Sequence, residues 1–412
     1  MAGQLKVGIL GGGFAGLYAV FQIKKDLGPQ AEITLFDKNN YLLYTPMLHE
    51  MATGTVNPRH VVVPIRKVVN PLQVHIRCEE VTLVDLEEKA FETISGRFTF
   101  DYLVLATGSE SNFYDLPGVE EHSLTFKVII DATRIRNQMI SILERGALEK
   151  NPDCRRKILT INVAGGGCTG VELVAEIAQF VHVILNKDYP EIERSEVTIN
   201  LIEATGKILS SFPEYLARVA LERLRMMGIE VLLDAPIQWV NQNCIGISNG
   251  KTISKGILIW AGGVKARHLP LRPEVKRDLS KRILVDGHLE IPGYPGIYAI
   301  GDASRIGESK DALPSTASVA VQEARYISRH LHMRIQKTEI APFQFHYRGD
   351  MASLGFMSGV CEVYGWQFKG FMAWMIWKLF KLAMLPRYKN RFQILADWLI
   401  TAIFKRDTSR FM

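Results

Sequence analysis

Short unbroken apolar runs alternate along this chain with longer stretches in which apolar residues recur at helical spacing. The runs are LKVGIL (5–10), EITLF (32–36), YLVLA (102–106), ILTINVA (158–164), VTINLI (197–202), IEVLL (229–233), GILIWA (256–261) and IYAI (297–300). Helical periodicity covers 14–27, 128–149, 170–186, 214–227 and 315–332, with Gly228 where a helix would stop. Continuous apolar strands belong to parallel sheets buried on both faces, and their alternation with helices predicts an α/β fold.

The pattern repeats. Strand, GxGxxG, helix, strand and acid run once from residue 5 and again from residue 158, with Gly11 and Gly165 as equivalent positions. Two doubly wound, Rossmann-like domains are therefore predicted. A final stretch differs in kind. WQFKGFMAWMIWKLFKLAML (366–385) and FQILADWLITAIF (392–404) are strongly apolar and flanked by basic residues.

Charge sharpens that contrast. The net charge is +6, yet from Trp366 to Met412 nine Lys/Arg face only Asp397 and Asp407, so the tail carries +7 and the rest −1. This asymmetry points to an anionic surface as partner and not to nucleic acid. Lys378 and Lys381 interrupt the first apolar run and Asp397 the second, which disfavours a span of ~20 residues. Helices lying in the lipid interface fit better; a dimerising helix pair or a cap on the first domain remains the alternative.

With 412 residues, the chain can bury a core that needs neither disulfides nor a structural metal. Its five cysteines (Cys78, Cys154, Cys168, Cys244, Cys361) form no CxxC pair and have no metal-ligand spacing. The dithiol of disulfide reductases is absent, and a reducing compartment is expected. MAGQLKVGILGGG lacks the tripartite pattern of a signal peptide, so the cytoplasm is expected.

The loops carry the chemistry. In Gly11-Gly12-Gly13-Phe14-Ala15-Gly16, the glycines permit a tight turn, close approach of a pyrophosphate and helix–strand packing. Asp37, at the end of EITLF, can accept ribose hydroxyls. The second loop is Gly165-Gly166-Gly167-Cys168-Thr169-Gly170, and Glu203 ends the following strand. An acid there repels a 2′-phosphate and favours NADH, although a solvated strand end is the plainer reading. Two dinucleotide sites in one chain imply a relay between a diffusible hydride donor and a bound acceptor. Glu172, in the first turn after the second loop, suits the flavin–nicotinamide contact, or else merely compensates the helix dipole. Cys168 and Cys361 read as small buried residues and not as a sulfide-oxidising pair.

These residues resemble the two-dinucleotide-binding-domain flavoproteins, most closely the type II NADH:quinone oxidoreductases. GGGFAGL, Ala106-Thr107-Gly108-Ser109 and Ala299-Ile300-Gly301-Asp302 match the family's FAD motifs, and the tract with Leu385-Pro386-Arg387, Asp397-Trp398 and Arg406-Asp407 its membrane-anchoring end. The resemblance implies FAD held by Gly11, Gly13, Phe14, Ala15, Gly16, Asp37, Lys38, Thr45, Pro46, Val81, Ala106, Thr107, Gly108, Gly301, Asp302 and Ala320. It implies NADH held by Gly165, Gly167, Gly170, Glu172, Glu203, Ala261 and Gly262, with Glu172 catalytic. Asp302 would bind the ribityl chain, or act only as a helix N-cap; Thr45, Pro46 and Val81 also fit plain turn and core roles. Gln322 matches a glutamine of the quinone-lining helix, whereas Ser318 stands where the family usually has another glutamine.

The implied domains are 1–114 and 265–335 for FAD, 115–264 for NADH, and 336–412 as a C-terminal membrane-associating segment. The implied enzyme passes a hydride from NADH to FAD and two electrons to a membrane quinone without pumping protons. It would do so as a peripheral protein of the respiratory chain on the cytoplasmic face of the cell membrane, either alone or as a homodimer. The alternative is a soluble NADH-dependent reductase of a rubredoxin- or ferredoxin-type carrier. No metal is expected.

Overall fold

The computed structural model describes residues 4–307, 313–404 and 409. The chain divides into two compact units: Met1–Leu43, Val62–Glu110 and Val264–His346 form one, and Tyr44–Val61, Ser111–Gly263 and Tyr347–Met412 the other.

The first unit is built on a six-stranded sheet. Its order is Glu290–Ile291, Tyr294–Ala299, Tyr102–Leu105, Leu5–Leu10, Ala31–Phe36 and His75–Arg77, parallel except for the edge hairpin 290–299. The first strand LKVGIL is central, and Val7, Ile9 and Leu10 are buried, as a strand covered on both faces requires. Helix Phe14–Leu27 packs along helix Ala317–Ile335. A four-stranded sheet of Leu271–Arg272, Val81–Asp85, Ala90–Thr93 and Gly96–Thr99 completes the unit.

The second unit repeats the plan. Strands Leu124–Thr125, Ile257–Trp260, Thr160–Ala164, Thr198–Ile202 and Glu230–Leu232 form a wholly parallel sheet. Helices Ile129–Leu148, Cys168–Asp188 and Glu214–Met226 belong to it. Gly228 ends the last of these at φ +75°, a conformation that glycine adopts without strain.

Three expectations need correction. The strand 158–164 begins only at Thr160, because Pro152–Ile158 is a helix whose first amides, Asp153 and Cys154, donate to the Asn151 side chain. The run 366–385 is not one helix. Trp366–Lys369 is the third strand of an antiparallel sheet with Met351–Ser353 and Gly359–Val363, and the helix is Gly370–Met384. The last helix, Tyr388–Ile403, starts four residues earlier than the apolar run.

The domain boundaries also differ from those expected. Tyr44–Val61 leaves the first unit for the second, and the tail joins the second unit instead of standing apart. Polar bonds explain both. The Tyr44 hydroxyl donates to the Lys381 carbonyl at 2.7 Å, Lys378 pairs with Glu50, and His60 Nδ1 lies 2.6 Å from Asp397.

Candidate functional site

In the first unit, the turn from Leu5–Leu10 into Phe14–Leu27 is closed to any residue but glycine at two points. Gly11 has φ +106°, and a Cβ there would lie 2.2 Å from the Ala106 carbonyl oxygen. A Cβ at Gly16 would lie 1.8 Å from the Gly11 oxygen. At Gly13 nothing lies within 4 Å of that position, so the backbone stands open to an approaching anion at the helix N-terminus. Asp37 accepts the Gly12 amide on one oxygen and the Asn39 amide on the other, both at 2.6 Å. Each oxygen keeps a lone pair for a ribose hydroxyl. Lys38 is exposed, 3.9 Å from Glu80.

Ala106, Thr107 and Gly108 follow the neighbouring strand, and the Ala106 amide donates to the Leu10 carbonyl at 2.8 Å. Gly301 (φ +66°) and Asp302 follow the next strand, and the Ser109 hydroxyl donates to the Asp302 carboxylate. These residues thus meet at the carboxyl ends of adjacent parallel strands, where α/β folds bind nucleotides. Their cradle fits a dinucleotide. Val81 is buried in the four-stranded sheet, whereas Thr45 and Pro46 fall in the second unit, in the turn Thr45–Met47.

The helix Ala317–Ile335 carries three of the expected site residues, Ser318, Ala320 and Gln322. Thr316 caps it: its hydroxyl accepts the Val319 amide, and its carbonyl accepts the Ala320 amide at 3.1 Å. Ala320 therefore has no amide to offer a ligand; the first-turn amides without an intrahelical acceptor are Ala317 and Ser318. The Gln322 side chain is held at both ends by His346, donating to its carbonyl and accepting its amide, each at 3.0 Å. Ser318 is exposed, 3.5 Å from Gln322. Glu323, which the pattern did not single out, is buried and accepts the Gly301 amide at 2.5 Å.

The second unit reproduces the first loop almost atom for atom. Gly165 also has φ +106°, and a Cβ there would lie 2.4 Å from the Ala261 oxygen. At Gly170 it would lie 1.9 Å from the Gly165 oxygen, and Gly167 again stands open. Glu203 takes the place of Asp37: it accepts the Gly166 amide at 2.5 Å and both Thr205 donors at 2.8 Å. Ala261 and Gly262 follow the strand Ile257–Trp260 beside the loop, and the Tyr114 hydroxyl donates to the Gly262 carbonyl.

Glu172 is buried and committed to the tail segment. One oxygen accepts the Trp377 indole N–H at 2.7 Å and the Ser353 amide at 3.2 Å; the other lies 3.9 Å from His49 Nδ1. This is not the solvated carboxylate of simple dipole compensation. His49 and Glu50, on helix Leu48–Ala52, had no local signal, because their partners lie more than a hundred positions away. Glu50 pairs with Lys378 and accepts the Trp398 indole N–H at 2.7 Å, and the Lys378 ammonium sits 3.9 Å over the Trp398 ring. One turn along the helix from Glu172, Glu176 accepts from the hydroxyls of Thr53 and Thr55.

All five cysteines are free. Burial and the neighbouring Glu172 carboxylate push the Cys168 thiol up to about 12, and burial pushes Cys361 up to about 11. Neither supplies a thiolate at neutral pH. No group of three metal-ligating side chains occurs among the described residues.

The tail presents an apolar surface. Trp366, Phe371, Met372, Leu379, Phe392 and Leu399 are all exposed. Its helices have 15 and 16 residues, short of the ~20 needed to span a bilayer. Among the described residues, Cys168–Leu185 is long and apolar enough to span, yet it is largely buried as the core helix of its unit.

Residues 5–324 match the pyridine nucleotide-disulphide oxidoreductase family, and residues 347–407 match the NDH2 C-terminal domain. A probable NADH dehydrogenase of Dictyostelium discoideum is 31% identical over 92% of this chain and 86% of its own. A type II NADH:quinone oxidoreductase of Staphylococcus epidermidis is 31% identical over 87% of this chain and 90% of its own. The solved structure of NDH2 from Plasmodium falciparum in complex with NADH superposes with a TM-score of 0.90 at 24% identity, covering 98% of this chain and all of that one.

Proposed function

The chain belongs to the pyridine nucleotide-disulphide oxidoreductase family and, within it, to the type II NADH:quinone oxidoreductases, and from that membership we propose how its residues carry electrons from NADH to a membrane quinone. It is a FAD-dependent NADH dehydrogenase. FAD, when bound, supplies a two-electron acceptor for the hydride of NADH and a two-electron donor to the next carrier.

The first loop, Gly11, Gly13 and Gly16, holds the FAD pyrophosphate, Asp37 its adenosine ribose and Asp302 its ribityl chain. The amides of Ala317 and Ser318 take the part that Ala320 cannot. Gly165, Gly167 and Gly170 hold the NADH pyrophosphate, and Glu203 its adenosine ribose. Glu172 is the residue assigned to the reacting end, where quinone reduction consumes two protons. A buried carboxylate beside a histidine suits that work.

The single observation that supports a membrane quinone over a soluble carrier is the exposed apolar and basic tail. Lys369, Arg387, Lys389 and Arg391 accompany its exposed Phe and Leu side chains. Such a surface fits the interface of an anionic bilayer, at ~1 kcal/mol per basic residue. The enzyme then lies on the cytoplasmic face and couples to no ion movement. In an anaerobic cuvette NADH should bleach the flavin, and a short-chain quinone should restore it. A flavin left oxidised by NADH overturns the assignment. A flavin that bleaches but is reoxidised only by rubredoxin- or ferredoxin-type carriers, in a protein that ignores anionic liposomes, identifies the soluble reductase instead.

A further inference from the structure

We propose that Glu323 is a positioning residue for FAD, its carboxyl fixing the Gly301 amide while Ser109 fixes the Asp302 carboxylate. Gly301 sits at φ +66° immediately before Asp302. Its amide donates to Glu323 Oε2 at 2.5 Å, and the Asp302 carboxylate accepts from the Ser109 hydroxyl. Two carboxyl groups thus flank one short turn, at the end of the strand that presents Asp302.

They are not equivalent. Asp302 is half-buried, whereas Glu323 is 3% exposed. The Asp302 charge opposes ionisation of Glu323, and the more enclosed carboxyl keeps its proton to higher pH. Burial and the Asp302 charge push Glu323 up to about 8, against the bond from Gly301. A cavity of about 30 Å³ touches Glu323, Gly301, Ser304, Arg282 and Arg305, with room for one water. Both arginines are drawn to another acid: Arg282 reaches Asp278 at 2.8 Å and Arg305 reaches it at 3.3 Å. Helix Phe14–Leu27 sets the Ala15 methyl beside Gly301, and its Asp26 is engaged farther along by Ser328. Among the described residues, Asp302 is the charge that acts on Glu323, while Arg282 and Arg305 line the same cavity and are paired with Asp278.

A glutamine would accept the Gly301 amide equally well at any pH. What a carboxyl adds is a second negative charge beside Asp302 once its proton leaves. FAD, itself a dianion, should then be held less firmly. The measurement is release of FAD from the holoenzyme, followed by flavin fluorescence from pH 6 to 10. Wild type should release FAD up to about tenfold faster at pH 9 than at pH 7, the limit for one proton per pH unit above the pKa. Glu323→Gln should retain FAD as wild type does at pH 7 and give a flat profile. A Glu323→Gln profile that follows wild type overturns the proposal, as does a flat wild-type profile. If Glu323→Gln does not fold, wild type alone decides. A rise matched by loss of the infrared carbonyl band of a protonated acid supports the proposal, and a rise without that loss overturns it. No electron acceptor enters this test, so it stands apart from the quinone assignment.

Discussion

At the scale of residues, the two loops are decided by single atoms. A methyl group at Gly170 would lie 1.9 Å from the Gly165 oxygen, which no side-chain motion relieves. Gly170→Ala should therefore abolish NADH-dependent bleaching while FAD stays bound, as read from the flavin spectrum. Glu203→Ala should raise the use of NADPH relative to NADH in steady-state kinetics, because the repulsion of a 2′-phosphate goes with the carboxylate. Glu323 also predicts a pH dependence of stability. Its folded pKa, about 8, lies above the ordinary carboxylate value of 4.5. Its contribution is full below the unfolded value and is lost as pH rises from 4.5 to 8, because the unfolded chain ionises freely there and the folded one does not. Thermal melts of Glu323→Gln should accordingly fall less over that range than those of wild type. The placement of Asp37 and Glu203 beside the two loops was legible because strand, loop and acid are local. His49, Glu50 and Glu323 were not, because what makes them notable is burial against partners that periodicity cannot reveal.

At the scale of elements, periodicity found the central strands of both parallel sheets and the long helices, but it missed the short strands His75–Arg77, Leu124–Thr125 and Glu290–Ile291 and the four-stranded sheet, and it misjudged some ends. The start of ILTINVA looked like strand, yet Asn151 and Pro152 supply a helix cap and first turn that claim residues to Ile158. In WQFKGFMAWM the first four residues alternate and pair as a strand, and the helix takes over at Gly370. Helix Ala317–Ile335 was placed correctly to within three residues, but its cap decides which amides remain, and that needed the Thr316 geometry. The tail helix Gly370–Met384 is tied down by Lys378, whose side chain is buried with Glu50. Glu50→Ala strands a buried ammonium and should cost about 3–5 kcal/mol in urea unfolding. Replacing both partners by apolar residues of similar volume should recover much of it.

At the scale of the molecule, a duplicated Rossmann plan accounts for the paired loops, and chain order alone obscured how the pieces are apportioned. Residues 44–61 sit between two segments of the first unit in sequence, yet Tyr44, Glu50 and His60 bond to the tail. Nothing in residues 44–61 announces that, because the matching Lys378, Lys381 and Asp397 lie more than three hundred positions on. The exposed face of the tail is testable without disturbing these bonds. Phe392→Glu with Leu399→Glu, both at exposed positions, should weaken flotation with anionic liposomes and leave flavin bleaching by NADH unchanged.

The bond from Trp377 to Glu172 gives the tail a second meaning. A protease that clips the chain after Gly365 takes the indole donor away from the buried carboxylate, and with it the ammonium that neutralises Glu50. The tail is thus also the lining of a buried carboxylate pair, and the two stand or fall together.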